Sequence, residues 1–185
     1  MGITQQEAEE IRAHAECLHD AAAVQAAYER MAGEIRADFG GRDPIMLCVM
    51  VGGFIPAAEL CKRLEFPFEM DYLHATRYRG STDGGGLIWK VHPSKPLAGR
   101  HVLVVDDILD EGHTLVEIRR ALTEMQPASL KVAVLAEKIH ERRAPGAHAE
   151  FIGLQVADRY VFGSGMDCKE YWRQLPGIWA MGIKK

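Results

Sequence analysis

The sequence predicts an α/β fold in which a mainly parallel, twisted sheet is flanked by helices. Three observations carry that expectation. Residues 45–51 and 102–105 are apolar runs without alternation, the pattern of strands buried on both faces as parallel strands are. Each run is followed by glycine and then by a helical pattern, from Pro56 in the first case and from Leu115 in the second. Strand-like and helix-like segments then go on alternating, and right-handed crossovers turn such an order into a doubly wound sheet.

Composition bounds what such a chain does. With 185 residues, 48% hydrophobic and 26% charged, one domain with a sizeable core is expected over the whole chain, and two ordinary domains are not. The formal net charge of −4 with no long basic run leaves no nucleic-acid footprint. No apolar stretch could span a bilayer, and the polar, acidic N-terminus lacks a signal-peptide core, so no membrane partner is expected. Cys17, Cys48, Cys61 and Cys168 show neither a C-x-x-C pair nor zinc spacing and read as reduced thiols of a cytoplasmic protein.

Thr4-Gln5-Gln6-Glu7 has the form of a capping box and opens a helix expected to run to about Leu18. Asp20 caps a second helix through Ala26, Met31 and Ile35, which closes near Gly40-Gly41. After the strand at 45–51 come Gly52-Gly53 and a helix over about residues 56–64. Residues 68–78 read as a strand and 80–86 as a long polar loop rich in glycine, closed by Leu87-Ile88-Trp89. A helix is expected over 115–125, a strand over 129–136 and a short strand over 151–153, followed by an irregular tail.

The chemistry concentrates in residues 102–115. The apolar run ends on Asp106 and Asp107; Asp110 follows, and Glu111-Gly112-His113-Thr114 leads into a helix. Ligands in open α/β sheets sit just beyond such strand ends. Gly112 permits a tight turn, and the successive amides of a helix start make a nest for a phosphate. Paired carboxylates beside that nest suit sugar hydroxyls, Mg2+, or both. Receiver domains and many nucleotide-binding folds also end a strand on two aspartates, so the specificity lies in the turn that follows the pair. The segment is built for a phosphorylated sugar.

That string resembles the phosphoribosyl-pyrophosphate motif of type I phosphoribosyltransferases, where an acidic pair precedes a third Asp and a Gly-x-Thr turn. Other segments, spread over about residues 44–173, resemble the hypoxanthine-guanine branch. They are Gly52-Gly53, Thr76-Arg77-Tyr78, Lys138, Asp158-Arg159-Tyr160-Val161-Phe162-Gly163, Asp167 and Arg173. The resemblance implies the type I phosphoribosyltransferase fold: a core over about residues 44–165, a small hood from the N-terminal helices and C-terminal segment, and a flexible lid loop at about 77–87. It implies a purine-salvage enzyme that moves the 5-phosphoribosyl group from phosphoribosyl pyrophosphate to hypoxanthine or guanine. IMP or GMP and pyrophosphate are the products. It also implies Mg2+, a cytoplasmic location and a homodimer or homotetramer.

Residue by residue, the resemblance makes Asp110 the base for the purine N7 proton. Asp106 and Asp107 hold the ribose hydroxyls, directly or through the metal. Glu111, Gly112, His113 and Thr114 bind the 5-phosphate. Lys138 donates to the purine O6 and N7, which disfavours adenine because its exocyclic amine is itself a donor. Tyr160 stacks on the base, Val161 meets it through its backbone, and Asp167 belongs to the purine site and binds a second Mg2+. Val51, Gly52, Gly53 and Arg173, with Arg77 and Tyr78 from the lid, face the pyrophosphate. His14, His19, His74, His92, His101, His140 and His148 show no metal spacing and are expected on the surface or in loops.

Three departures from the family pattern stand out. Val51 replaces a usual Lys or Arg, which leaves the pyrophosphate to backbone amides, Arg173 and metal. Its bond to Met50 is where the family often carries a non-proline cis peptide. Glu111 replaces a small hydroxyl residue, and its carboxylate, which would repel phosphate, is expected to point away. Arg77 replaces the usual Ser before Tyr78 and adds a cation at the lid. The competing readings are a nucleotide-sensing, RNA-binding regulator on the same fold, a transferase preferring xanthine or another base, and, more remotely, a receiver domain.

Overall fold

The structure, a computed structural model, describes residues 2–77 and 87–182, with only the backbone of Arg77. Tyr78 and the glycine-rich loop at 80–86 lie outside the described residues. Along the chain run α1 (Gln5–Ala13), β1 (Glu16–His19), α2 (Ala21–Phe39), β2 (Ile45–Val49), α3 (Phe54–Cys61), β3 (Glu69–Arg77), β4 (Leu87–Val91), β5 (His101–Leu109), α4 (His113–Glu124), β6 (Ser129–Ile139), β7 (Phe151–Ala157), β8 (Val161–Phe162) and β9 (Ile178–Ala180).

The main sheet has six strands in the order β4-β3-β2-β5-β6-β7, all parallel except the antiparallel edge strand β4. Side chains alternate across a strand, so β2 and β5 serve two cores at once. Met46, Cys48, Leu103 and Val105 join α2 and α3 on one face. Ile45, Leu47, Val49, Val102 and Val104 join α4 through Leu115, Ile118 and Leu122 on the other. This double burial is the physical content of the unbroken apolar runs, and the expected parallel, doubly wound α/β sheet is what forms.

The Thr4 capping box is present, with Thr4 and Glu7 bonded reciprocally, and Asp20 caps α2 through the Ala23 amide. The first helix nevertheless stops at Ala13 and not near Leu18. Only Ala8 of α1 is buried, so packing gives the helix no reason to extend, whereas Glu16–His19 gains a ladder with β9. The tail is likewise less irregular than expected: β8 and β9 join β1 in a small antiparallel sheet, ordered β1-β9-β8.

A hood built from both N-terminal helices is not what the packing shows. α2 buries Val24, Ala27, Tyr28, Met31, Ala32, Ile35 and Phe39 at helical spacing, and these residues belong to the main core. The core therefore begins well before residue 44. β5, β6 and β7 also run on past their expected ends, because they stay paired: Asp106 lies opposite Val134, Leu109 opposite Glu137, and Lys138 opposite Val156. That register brings the residue after Leu109 beside the one after Glu137, which creates the centre of the site.

Candidate active site

The C-terminal edge of the parallel strands opens into a cavity of about 180 Å3 lined by Asp107, Ile108, Asp110, Lys138, Tyr160, Val161, Met166 and Asp167. Five of these eight were candidates from the sequence, with Val161 a sixth, and they arrive from β5, β6 and the β8 region. Tyr160 is 46% exposed, so its ring is available at the cavity wall. Val161 is buried and paired with Ala180 in the small sheet.

The aspartates stand in opposite electrostatic conditions. Asp106 and Asp107 are shielded from water and adjacent, and burial, then mutual repulsion at Asp106, pushes both carboxyls up from the usual range. Asp107 is oriented by its own neighbour, the Ile108 amide donating to Oδ1 at 2.7 Å, and has Arg173 at 3.9 Å. Asp110 is the reverse. Burial works against its charge, but hydrogen bonds from Lys138 and His140 outweigh burial and hold it below the ordinary carboxylate range. Lys138 Nζ donates to Oδ2 at 2.5 Å, and His140 Nε2 lies 2.8 Å from Oδ1.

Lys138 is thus no surface lysine: its side chain is 11% exposed, and the Arg143 guanidinium donates to its backbone carbonyl. His140 was expected in a loop without chemistry. It does follow β6, but its side chain is 3% exposed and turned onto Asp110. The period-two alternation of a strand places residue 140 on the same face as residue 138, and that was the signal available in the sequence.

The turn at residues 111–114 is tight. Gly112 adopts φ +79°, and a Cβ there would meet Ala147 Cβ at 2.5 Å. α4 begins at His113 with no side chain capping its first amides, which leaves the helix N-terminus open to an anion. The turn is anchored by the Ala144 amide, which donates to the Glu111 carbonyl at 2.8 Å. The Glu111 carboxylate turns to Arg142, 3.5 Å away, and to His113 at 3.7 Å, which answers where its charge goes. Thr114 is partly exposed on the first turn.

Gly52 and Gly53 lie against the acidic strand end. A Cβ on Gly52 would overlap the Asp107 carboxylate, and one on Gly53 would overlap the Val105 carbonyl. The Met50–Val51 peptide is cis, and Val51 is 48% exposed. Arg173 donates to the Gly165 carbonyl at 2.8 Å and pairs with Asp167 at 2.7 Å. Its expected pyrophosphate role would thus begin from an ion pair with Asp167.

Among the described residues no group of three or more His, Cys, Asp or Glu side chains converges on a metal position. Asp106 and Asp107, two adjacent desolvated carboxylates, fit Mg2+ that arrives with ligands of its own, and Asp167 stands apart from them as the residue expected to hold a second ion. Mg2+ typically keeps waters and substrate phosphate oxygens and uses only one or two carboxylates.

A phosphoribosyl transferase domain model matches residues 14–170 of this chain. A hypoxanthine-guanine-xanthine phosphoribosyltransferase of Tritrichomonas foetus is 34% identical over 155 residues, covering 84% of this chain and 85% of that protein. A hypoxanthine-guanine phosphoribosyltransferase of Streptococcus pneumoniae is 33% identical over 156 residues, covering 84% and 86%. Among solved structures, a hypoxanthine-guanine-xanthine phosphoribosyltransferase superposes with a TM-score of 0.83 at 30% identity, over 91% of this chain and 97% of that one.

Proposed function

This chain belongs to the phosphoribosyl transferase family, and from that premise we infer that it transfers the 5-phosphoribosyl group of phosphoribosyl pyrophosphate to hypoxanthine or guanine, a purine-salvage reaction. The observation that carries the reading is the Lys138–Asp110 pair at the cavity beneath Tyr160. A cation and a carboxylate side by side can meet the O6 acceptor and the N7 proton of one 6-oxopurine edge, and an adenine edge would offer Lys138 a donor instead.

The chemistry follows from these positions. The electron pair of a purine ring nitrogen forms the bond to the anomeric carbon, the bond from that carbon to pyrophosphate breaks with its pair leaving on pyrophosphate, and the N7 proton passes to Asp110. A transition state of this kind carries positive charge on the sugar, which the Asp106 and Asp107 carboxylates at the strand end would stabilise while holding the ribose hydroxyls. The amides of Glu111 to Thr114 would grip the 5-phosphate, and Tyr160 would cover the base. Gly52, Gly53 and Arg173 would face the pyrophosphate, with Asp167 alongside. Mg2+ would be held at Asp106 and Asp107, where it would neutralise the leaving group.

Xanthine is kept as a second substrate because a hypoxanthine-guanine-xanthine enzyme is among the relatives at 34% identity. No helix among the described residues is long and apolar enough to cross a membrane, and Cys17, Cys48, Cys61 and Cys168 are free. We take the enzyme to work in the cytoplasm, without a nucleic-acid or membrane partner, as a homodimer or homotetramer. Phe54, Met70 and Tyr72 are exposed and line one apolar groove suited to such assembly.

The test is Asp110→Asn. Turnover of hypoxanthine is expected to fall by roughly 10²- to 10⁴-fold with the KM for the sugar donor little changed. Turnover close to that of the unaltered enzyme would remove Asp110 from the proton transfer.

A further inference from the structure

We propose that His140 is a positioning residue for the reaction, the fixed donor that orients the Asp110 carboxylate while Lys138, the exchangeable donor, leaves it for the purine. The inference rests on the reading of Asp110 as the base.

The geometry assigns the two donors different fates. The Arg142 backbone N–H donates to His140 Nδ1 at 3.0 Å. An amide can be accepted only by a ring nitrogen without a proton, so this bond puts the ring proton on Nε2. Nε2 in turn faces Asp110 Oδ1 at 2.8 Å and donates to it. The ring is clamped at both nitrogens, and its side chain is 3% exposed, so it has neither another partner nor room to turn. Lys138 is held differently. Its ammonium carries three donors on a flexible stem, and it reaches Oδ2 from the cavity side, where the purine edge would arrive. When O6 accepts from Lys138, Oδ2 is released to take the N7 proton. Oδ1 stays on His140, so the carboxylate keeps its plane.

Among the described residues no other charged group is bonded to Asp110. Asp107, Asp167 and Tyr160 face Asp110 across the cavity and are not bonded to it. Glu111, next along the chain, is turned to Arg142 and His113. Arg142 extends from the His140 loop to Asp158, with two bonds at 2.7 and 3.0 Å, and so stiffens the segment that carries the ring.

The donor also sets how basic Asp110 is. Hydrogen bonds to the charged form lower a carboxyl's pKa, so removing one raises it and turnover begins to fail at a higher pH. His140→Ala should therefore move the acidic limb of the kcat profile upward. It should also lower kcat by roughly 10- to 100-fold, the scale of a misplaced catalytic group, with the KM for phosphoribosyl pyrophosphate unchanged. A Gln side chain can put an N–H close to the position of Nε2, whereas Asn falls short. His140→Gln is thus expected to restore most of kcat and return the limb, and His140→Asn is not. The Gln and Asn pair decides the matter even if the Ala variant does not fold.

The measurement is kcat and donor KM against pH, with hypoxanthine, for these variants and for Asp110→Asn. If Asp110→Asn is crippled and His140→Ala or His140→Asn keeps the kcat and acidic limb of the unaltered enzyme, the role of His140 is overturned and that of Asp110 stands. A loss in His140→Gln as large as in His140→Asn, with the limb unmoved, also overturns it. If Asp110→Asn turns over normally, the underlying reading of the base fails as well.

Discussion

Carboxylates in this protein are set apart by the balance between burial and the donors beside them. Asp106 and Asp107 have few donors and are driven up by desolvation; Asp110 has two strong donors and is driven down. Glu150 shows the same balance away from the site. Burial raises it, but Arg119 at 2.9 Å and the Val132 amide at 2.7 Å prevail, and its carboxyl is held below the usual range. A depressed folded-state pKa contributes stability that is complete above the unfolded value and lost as pH falls through the folded one. Glu150→Gln is therefore expected to cost about 1–2 kcal/mol near neutral pH. Urea unfolding should show that cost shrinking in acid below the ordinary carboxylate range. A cost that stayed constant with pH would refute the charge-based account. At this scale the sequence was informative wherever a motif fixed the residue. Asp110 and Gly112 stand in a motif that singles them out, whereas His140 lacks one and is marked in the chain only by the alternation that puts it on the face of Lys138.

Elements were legible where burial was continuous and illegible where pairing was remote. The unbroken apolar runs of β2 and β5 announce strands, and capping residues announce α1 and α2. The short strands β1, β8 and β9 could not be read locally, because each is held by partners more than 130 residues away or by the other tail strand. The ends of β5 and β6 were underestimated for a related reason: polar residues at a strand's end break the apolar pattern while the ladder continues. The same limit hid the place of α2, whose Ile35 is fully buried in the main core. Ile35→Ala is expected to destabilise the protein by about 2–5 kcal/mol while leaving the KM values of the folded enzyme unchanged. A loss within about 0.5 kcal/mol, the ordinary surface range, would return α2 to the periphery.

At the level of the whole molecule, one sheet edge gathers groups that lie far apart in sequence. The parallel register of β5 against β6 sets Asp110 beside Lys138, the β8 region adds Tyr160, and the turn into α4 adds a helix N-terminus without a side-chain cap. The motif at 102–115 carries the sugar-side reading from the chain alone. The purine side depended on a resemblance, because a lone Lys and a lone Tyr have no spacing signature. Base choice is therefore the point at which the account is most exposed. The measurement that tests it most directly is nucleotide formation from phosphoribosyl pyrophosphate and Mg2+ with hypoxanthine, guanine, xanthine, adenine and uracil supplied separately. The account predicts turnover of hypoxanthine or guanine, with or without xanthine, and none of adenine or uracil. Turnover of adenine or uracil alone would contradict the role given to Lys138, and binding of the sugar donor without turnover of any base would contradict the assignment of an enzyme.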